Sequence, residues 1–221
     1  IYGQSEDCGP TAMTQPGKTK FGTVGPAFPD VDVRIADDGE ILVKGRNVFL
    51  GYFKDEAATK ETLADGWLYS GDLGEFDDDG FLTITGRKKD IIITAGGKNV
   101  APKNLEGGLK NHPLISEVVV IGDRRKYLTC VVTLDEEATA AYLEKNGLEG
   151  PAHESSHIHT EVEAAIDRLN AEYARVEQLK KFTILPRQLS IEGGELTPTL
   201  KVKRNKVAEH FASEIEAMYS E

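Results

Sequence analysis

Three stretches of the chain carry polar and charged side chains whose types and spacing could do chemistry. In Tyr2–Glu6 a hydroxyl and a carboxylate follow a glycine, and such groups can donate to a phosphate oxygen and hold its Mg²⁺. Asp72 lies between two glycines, where its carboxylate could accept from two ribose hydroxyls, and Arg87 can donate to a ribose or a phosphate. Lys201 follows a loop-like approach and precedes a basic run. Each stretch also has a structural explanation, because turns often contain aspartate and a lysine beside apolar residues usually reaches solvent.

A fourth stretch, 94–99, contains paired glycines followed by a lysine. Gly96 and Gly97 would let a ligand approach the backbone closely, and Lys98 adds a positive charge beside them. A separate H-x₃-H-x-H spacing could bind zinc, but it stands in a polar segment without further ligands. We interpret its histidines, His153, His157 and His159, as solvated loop residues.

The predicted secondary structure that must position these residues changes from β-rich to mixed α/β near residues 87–90. Before this point the pattern is β-rich, with hairpins turning at Asp38-Gly39 and Gly80 and a short helix over Glu56–Leu63 capped by Asp55. After it, strands alternate with helices, which is typical of an α/β unit. We expect strands at 91–94, 117–121, 128–134 and 182–185, and helices after Pro102, over 135–146, over Thr160–Leu179 with a Thr160/Glu163 capping box, and along Val207, Phe211, Ile215 and Met218.

Composition excludes several classes of function. The net charge of −11 over 221 residues argues against wholesale nucleic-acid binding. The chain has no run near the roughly 20 apolar residues that a bilayer-spanning helix needs. Two cysteines give neither a disulfide framework nor a metal spacing, which favours a reducing cytoplasm. The chain also begins without methionine, so we expect it to be a fragment of a longer protein.

Six segments, taken in order and spacing, resemble the adenylate-forming acyl-CoA synthetases, in particular the bubblegum-like and bacterial long-chain fatty-acid ligases. The resemblance implies an α/β (α+β) fold: a β-rich, barrel-like subdomain followed by a small mixed α/β C-terminal domain. It divides the chain into 1–16 (the tail of a large N-terminal AMP-binding domain, a polar loop without a core of its own), 17–88 and 89–221. The segments are YGQSE, PGKTKFGTVGPAFPDVDVRI, GEILVKGRNVFLGYF, WLYSGDLG, TGRKKDIIITAGGKNVAP and LTPTLKVKR.

The same resemblance assigns roles to individual residues. Ser5, where the family usually has threonine, would contact the adenylate phosphate, and Glu6 would hold Mg²⁺. Lys201 would be the catalytic lysine of adenylation, although Leu200 replaces the usual preceding glycine. The remaining roles are nucleotide binding by Tyr2 and Gly3, ribose binding by Asp72 and Arg87, a hinge at Lys89, and a CoA tunnel lined by Gly96, Gly97 and Lys98.

For function, the resemblance implies a parent that converts a fatty acid and ATP to acyl-AMP and then transfers the acyl group to CoA. The fragment alone would have little or no activity. Its partners would be the missing N-terminal domain, the fatty acid and CoA. Peripheral contact of the parent with a membrane stays an open alternative. Two alternatives stay open: a ligase that loads a carrier protein, and a non-catalytic interaction domain. The basic run Arg124–Lys126 is likewise either a charged hairpin tip or a docking point for the 3′-phosphate of CoA.

Overall fold

The computed structural model describes residues 1–220, which group into two compact units: Ile1–Ile91, and a second that begins at Ile92. Each unit contains its own apolar core. The mixed α/β class expected from the sequence is confirmed. The finer division into 1–16, 17–88 and 89–221 stays a prediction. None of the helices formed by residues 1–220 is long and apolar enough to cross a membrane.

The first unit is an antiparallel sheet with one short helix. The elements are β1 (Val31–Ile35), β2 (Glu40–Gly45), α1 (Glu56–Thr62), β3 (Leu63–Ala64), β4 (Trp67–Phe76) and β5 (Leu82–Arg87). The strand order is β1-β2-β4-β3, with β5 paired to β4. This path through the described residues does not close on itself, so the barrel-like subdomain expected from the resemblance is an open sheet.

Local sequence chemistry explains most of this unit. The carboxylate of Asp55 accepts from the Ala58 N–H and begins α1, as expected. The N-terminal segment behaves differently from the coreless loop that we expected. Tyr2 pairs with Ala12 through backbone hydrogen bonds, and Ala12 is fully buried against strand residues such as Ile41. The segment is therefore part of the core of this unit.

The second unit has a three-stranded sheet covered by helices on both faces. The elements are β6 (Ile92–Ile93), β7 (Asn99–Val100), α2 (Pro102–Lys110), β8 (Ile115–Ile121), β9 (Leu128–Leu134), α3 (Glu136–Lys145), α4 (Ser156–Asn170), β10 (Leu179–Ile184), α5 (Arg204–His210) and α6 (Ala212–Tyr219). Strand β9 lies between β8, to which it is antiparallel, and β10, to which it is parallel. Every residue of β9 is buried: Cys130 and Val132 face the core on the side of α2 and α4, and Val131 faces the core on the side of α5 and α6.

Helix α4 corrects a prediction. The expected capping box at Thr160 is wrong, because the helix begins four residues earlier and the Thr160 hydroxyl donates to the Ser156 carbonyl inside it. The earlier start buries Ile158 completely. The helix ends at Asn170, whose side-chain amide pairs with both backbone groups of Leu179 at 2.9 Å. Leu179 therefore begins β10 instead of ending the helix.

The C-terminal helix is divided in two. Phe211, with φ −113° and ψ 32°, leaves helical geometry between α5 and α6. The apolar face expected there is nevertheless confirmed, because all four predicted residues are buried in one cluster. These residues are Val207, Phe211, Ile215 and Met218.

Candidate active site

In the first unit, Asp72 lies at the centre of a three-residue cluster. It is the direct cross-strand partner of Arg87, whose Nε donates to Asp72 Oδ1 at 2.8 Å. The Tyr2 hydroxyl donates to the other carboxylate oxygen at 2.9 Å. The Asp72 side chain is only 13% exposed, while that of Arg87 is half-exposed. The structure thus brings together three of the residues predicted to contact a nucleotide and leaves the guanidinium accessible.

The strand around Asp72 is held by a buried carboxylate that the sequence did not single out. Glu40 accepts from the Gly71 N–H through Oε1 and from the Lys88 ammonium through Oε2, both at 2.8 Å. Gly71 has φ +70°, a left-handed conformation that suits glycine, immediately before Asp72. Glu40 therefore holds the backbone next to Asp72 and pairs with the side chain of the residue that follows Arg87.

Burial also sets the protonation of Tyr2. Loss of hydration is the largest effect on its phenol and raises its pKa well above the usual range, with the negative charge of Asp72 acting in the same direction. Tyr2 therefore stays protonated at neutral pH and serves as a donor to Asp72.

The Ser5–Asp7 turn presents the predicted phosphate and metal groups. The carboxylate of Asp7 is buried and accepts from the Gln4 N–H and from the Thr11 hydroxyl, which fixes the turn. Gly3 is required for close packing, because a Cβ there would lie 2.2 Å from the Gly9 carbonyl oxygen. Ser5 is exposed at the start of the turn.

Glu6 fits a role as a single magnesium ligand. It is half-buried, and its Oε1 accepts from the Tyr52 hydroxyl at 2.7 Å, which leaves its other oxygen available. Residues 1–220 contain no group of three possible metal ligands. A single carboxylate is nevertheless compatible with Mg²⁺, which proteins commonly bind through one or two carboxylates together with substrate phosphates and water.

In the second unit, the glycine loop forms a tight turn between β6 and β7. The Thr94 N–H donates to the Lys98 carbonyl at 3.0 Å, and the Gly97 N–H, at a residue with φ +77°, donates to the Thr94 carbonyl at 2.8 Å. The Ala95 N–H donates to the Arg125 carbonyl, so the turn is tied to the β8–β9 connection. Gly96, Gly97 and Lys98 are exposed on this turn.

Lys201 stands on a second hairpin of the same unit. Leu196 pairs with Val202 at its base, and the Thr197 N–H donates to the Lys201 carbonyl at 2.8 Å. Leu200 adopts φ +59° and is 66% exposed. Lys201 is exposed too, and the described residues provide no ion-pair partner for its ammonium group.

The other predicted positions are distributed as follows. Lys89 is exposed in the short turn Lys88–Asp90, two residues before the first unit ends. In the basic run, Arg125 pairs with Glu216, whereas Arg124 is almost fully exposed. The interpretation as loop residues is wrong for His157 and His159, which are exposed residues of α4, while His153 lies in the short turn Ala152–Glu154. The three histidines belong to no cluster of possible metal ligands within residues 1–220.

Two acids of the second unit, the buried Glu195 and the partly exposed Glu106, had no role predicted from the sequence. Glu106 accepts from Arg204, and Glu195 accepts from Arg187 and lies beside His210. A possible signal existed for Glu195, which stands six residues before Lys201 on the same hairpin. The sequence contains no such signal for Glu106, because its partner Arg204 is 98 residues away along the chain.

Comparison with known proteins assigns the chain to a family. Residues 89–221 match the AMP-binding enzyme C-terminal domain. The chain belongs to this family. Its relatives include the long-chain-fatty-acid–CoA ligase FadD15 of Mycobacterium bovis, 49% identical over 99% of this chain and 37% of the relative. The long-chain-fatty-acid–CoA ligase ACSBG1 of Rattus norvegicus is 36% identical over 100% of this chain and 34% of the relative.

A solved structure agrees with the fold of this AMP-binding family member. O-succinylbenzoate Coenzyme A synthetase from Bacillus subtilis, in complex with AMP, is 27% identical with a TM-score of 0.69 over 92% of this chain and 39% of that one. The family resemblance expected from the six segments is confirmed by these matches. The chain spans less than two-fifths of the length of the curated relatives cited here.

Proposed function

We propose that this chain is the C-terminal part of a long-chain fatty-acid–CoA ligase. The longer protein would activate a fatty acid with ATP to acyl-AMP and then transfer the acyl group to CoA. The similarity to the mycobacterial long-chain ligase is the observation that carries this proposal. The chain alone would have little or no ligase activity, because the Asp72 cluster is a set of groups around one carboxylate and not an enclosed nucleotide pocket. Its main partner would be the upstream portion of its own protein.

The Asp72 cluster would bind the nucleotide. Asp72 has acceptor capacity beyond its bonds to Tyr2 and Arg87, since an ionised carboxylate offers about four lone-pair sites. Two ribose hydroxyls could therefore donate to it, while the half-exposed guanidinium of Arg87 donates to ribose or phosphate. The exposed Ser5 hydroxyl and the close-packed Gly3 turn would face the phosphate, and Glu6 would hold Mg²⁺. Bound Mg²⁺ would supply charge neutralisation at the phosphates.

Lys201 would act in the first half-reaction. A carboxylate oxygen of the fatty acid attacks the α-phosphorus of ATP, and the bond to pyrophosphate breaks, so negative charge accumulates where two anions meet. An ammonium group without a partner in its own unit can neutralise that charge, and loss of such a contact typically costs about 10²–10³-fold in rate.

The second half-reaction would use the glycine loop. The CoA thiol attacks the acyl carbonyl, AMP leaves with the electron pair, and the thiol proton passes to solvent. Gly96, Gly97 and Lys98 would line the approach of the pantetheine arm, and rotation about Lys89 would exchange this loop for the Lys201 hairpin. A cytoplasmic location completes the proposal, supported by two unpaired cysteines. Peripheral membrane contact of the longer protein is a further part of it.

Carboxylate-dependent ATP–pyrophosphate exchange tests the proposal. The chain is joined to the upstream portion that its relatives have, and fatty acids from short to very long are compared. We expect exchange with long-chain acids, a loss of about 10²–10³-fold in Lys201→Ala, and normal exchange in the control Lys145→Ala, an exposed lysine at the end of α3. Absence of exchange with every acid would refute the proposal. Adding CoA or an acyl carrier protein to preformed acyl-AMP then identifies the acceptor.

A further inference from the structure

A buried carboxylate stands at the base of the Lys201 hairpin. The side chain of Glu195 has 0% exposure. Its Oε1 accepts from Arg187 Nη2 at 2.6 Å and lies 2.8 Å from His210 Nδ1, and its Oε2 accepts from the Ser190 N–H at 3.1 Å. A buried charge is costly unless it is paired and hydrogen-bonded, and here both oxygens are engaged.

The main chain of Glu195 connects the two sides of the same hairpin. Its carbonyl accepts from the Lys203 N–H at 2.7 Å, so Glu195 lies opposite the residue that follows Lys201 by two positions. The preceding loop is shaped around its side chain, because a Cβ at Gly193 would lie 2.3 Å from Glu195 Oε2. Glu195 therefore joins the two strands at the hairpin base through its main chain, while its carboxylate holds the preceding loop.

That carboxylate is in turn fixed to the helix after the hairpin. His210 is the last residue of α5, and the Arg187 guanidinium stacks over the ring of Phe211, 4.8 Å from its centroid. Phe211 is buried in the core that also contains Val207. The Glu195 carboxylate thus connects helix α5 to the base of the hairpin, whereas the tip of the hairpin is exposed.

We propose that Glu195 is a positioning residue for Lys201: it fixes the base of the hairpin so that the ammonium group is delivered in one defined orientation. The inference rests on the proposed role of Lys201 in adenylation. The ammonium group of a flexible lysine stabilises the transition state well only if the backbone that carries it is fixed. A misplacement of about 1 Å can cost on the order of 10²-fold in rate. The hairpin tip makes only local turn contacts, so the orientation of Lys201 depends on the base.

The two half-reactions distinguish positioning from mere structural support. Lys201 acts only when acyl-AMP is formed, so loss of its positioning lowers that step selectively. A loss of folding lowers both steps together. The longer protein, with its upstream portion, is assayed for fatty-acid-dependent ATP–pyrophosphate exchange and, separately, for transfer of the acyl group from synthetic acyl-AMP to CoA.

Two variants and two controls are compared. Glu195→Gln keeps the size of the side chain but turns an N–H group toward donors, and Arg187→Gln removes one donor and leaves the others. Glu192→Gln, an exposed glutamate in the same loop, is the matched control. Lys201→Ala calibrates the full loss of the lysine.

We expect at least one of the Glu195 and Arg187 variants to lower exchange by about tenfold or more while acyl transfer stays within about twofold and Glu192→Gln changes neither. The positioning role is overturned if both variants lose exchange and acyl transfer equally, or if neither variant loses exchange, in an experiment where Lys201→Ala still lowers exchange. If Lys201→Ala itself leaves exchange unchanged, the proposed role of Lys201 fails first and that of Glu195 falls with it.

Discussion

Asp72 and Arg87 face each other across β4 and β5, and the Arg87 Nε donates to Asp72 Oδ1 at 2.8 Å. Tyr2 occupies the other carboxylate oxygen from a different part of the chain. The aspartate is thereby held in one rotamer before any ligand arrives, which lowers the entropic cost of binding. Its remaining lone pairs can accept hydrogen bonds from a ligand.

Replacing Asp72 tests this use directly. In the longer protein, Asp72→Asn keeps the shape of the side chain but loses the charged acceptor, so AMP affinity should fall by about 2 kcal/mol, or roughly 30-fold. Isothermal titration calorimetry with AMP measures the change. Asp78→Asn, an exposed turn residue of the same unit, is the control and should bind AMP normally. Unchanged affinity in Asp72→Asn would remove Asp72 from the nucleotide site.

The sequence was informative where the physics is local. The Asp55 cap of α1, the Asp38-Gly39 hairpin and the apolar face of the last two helices depend on neighbours within a few residues, and all three were predicted correctly. The start of α4 was not, because Thr160 has the residue type of a cap but its hydroxyl bonds inside a helix that burial of Ile158 extends.

The site shows the same limit. Short motifs made Asp72, Arg87 and Lys201 candidates, and the structure brings the first two into direct contact. The acids that hold the surrounding backbone were missed, because burial and pairing depend on chain folding: Glu40 and Lys88 are 48 residues apart, and Glu106 and Arg204 are 98 apart. No spacing rule connects such residues before the fold is known.

The conformation of Leu200 predicts an unusual order of stabilities. A left-handed residue other than glycine costs about 1 kcal/mol or more, most for β-branched side chains. Leu200→Gly should therefore leave the free energy of unfolding unchanged or raise it by up to about 1 kcal/mol, while Leu200→Val lowers it by about 1 kcal/mol. Urea unfolding monitored by circular dichroism measures both variants.

The neighbouring residue serves as the comparison for Leu200. Thr199 is exposed and is not among the positive-φ residues. Thr199→Gly should therefore lower the free energy of unfolding by about 0.5–1 kcal/mol, because glycine raises the entropy of the unfolded chain. If glycine destabilises both positions equally, Leu200 does not hold the left-handed conformation.

Glu106 and Arg204 should be strongly coupled. Arg204 Nη1 donates at 2.6 Å to both Glu106 Oε1 and the Val120 carbonyl, and the Val120 N–H donates back to Glu106 at 2.8 Å. Glu106 is 13% exposed and Arg204 30%, so either single change removes the charged partner of a largely desolvated group. A double-mutant cycle with Glu106→Gln and Arg204→Met should give a coupling free energy of about 1–3 kcal/mol.

An exposed pair in the first unit provides the baseline. Lys60 and Glu56 lie one turn apart on α1 with 3.8 Å between their charged atoms, and both are largely exposed. The same kind of cycle there should give no more than about 0.5 kcal/mol. Similar coupling at the two pairs would contradict the structural role assigned to Glu106.

The stability of the chain should depend on pH through Glu195. The Arg187 guanidinium, followed by His210 and the Ser190 N–H, holds the pKa of the Glu195 carboxyl well below its usual range, against the opposing effect of burial. The unfolded chain titrates this group near about 4.3, so between that value and the lower folded one the unfolded state binds the extra proton. Stabilisation by Glu195 is present above the unfolded value and is lost as the pH falls through the folded one.

Urea unfolding of the parent chain and of Glu195→Gln between pH 6 and about pH 3 measures this dependence. At pH 6 the variant should be less stable by on the order of 2 kcal/mol, since glutamine leaves buried donors unpaired. The difference should shrink as the pH falls below about 4, because only the parent gains a proton on unfolding. Glu192→Gln should follow the parent at every pH. A difference between parent and Glu195→Gln that stays constant, or grows, toward low pH would show that the Glu195 carboxylate is not the ionised partner of Arg187.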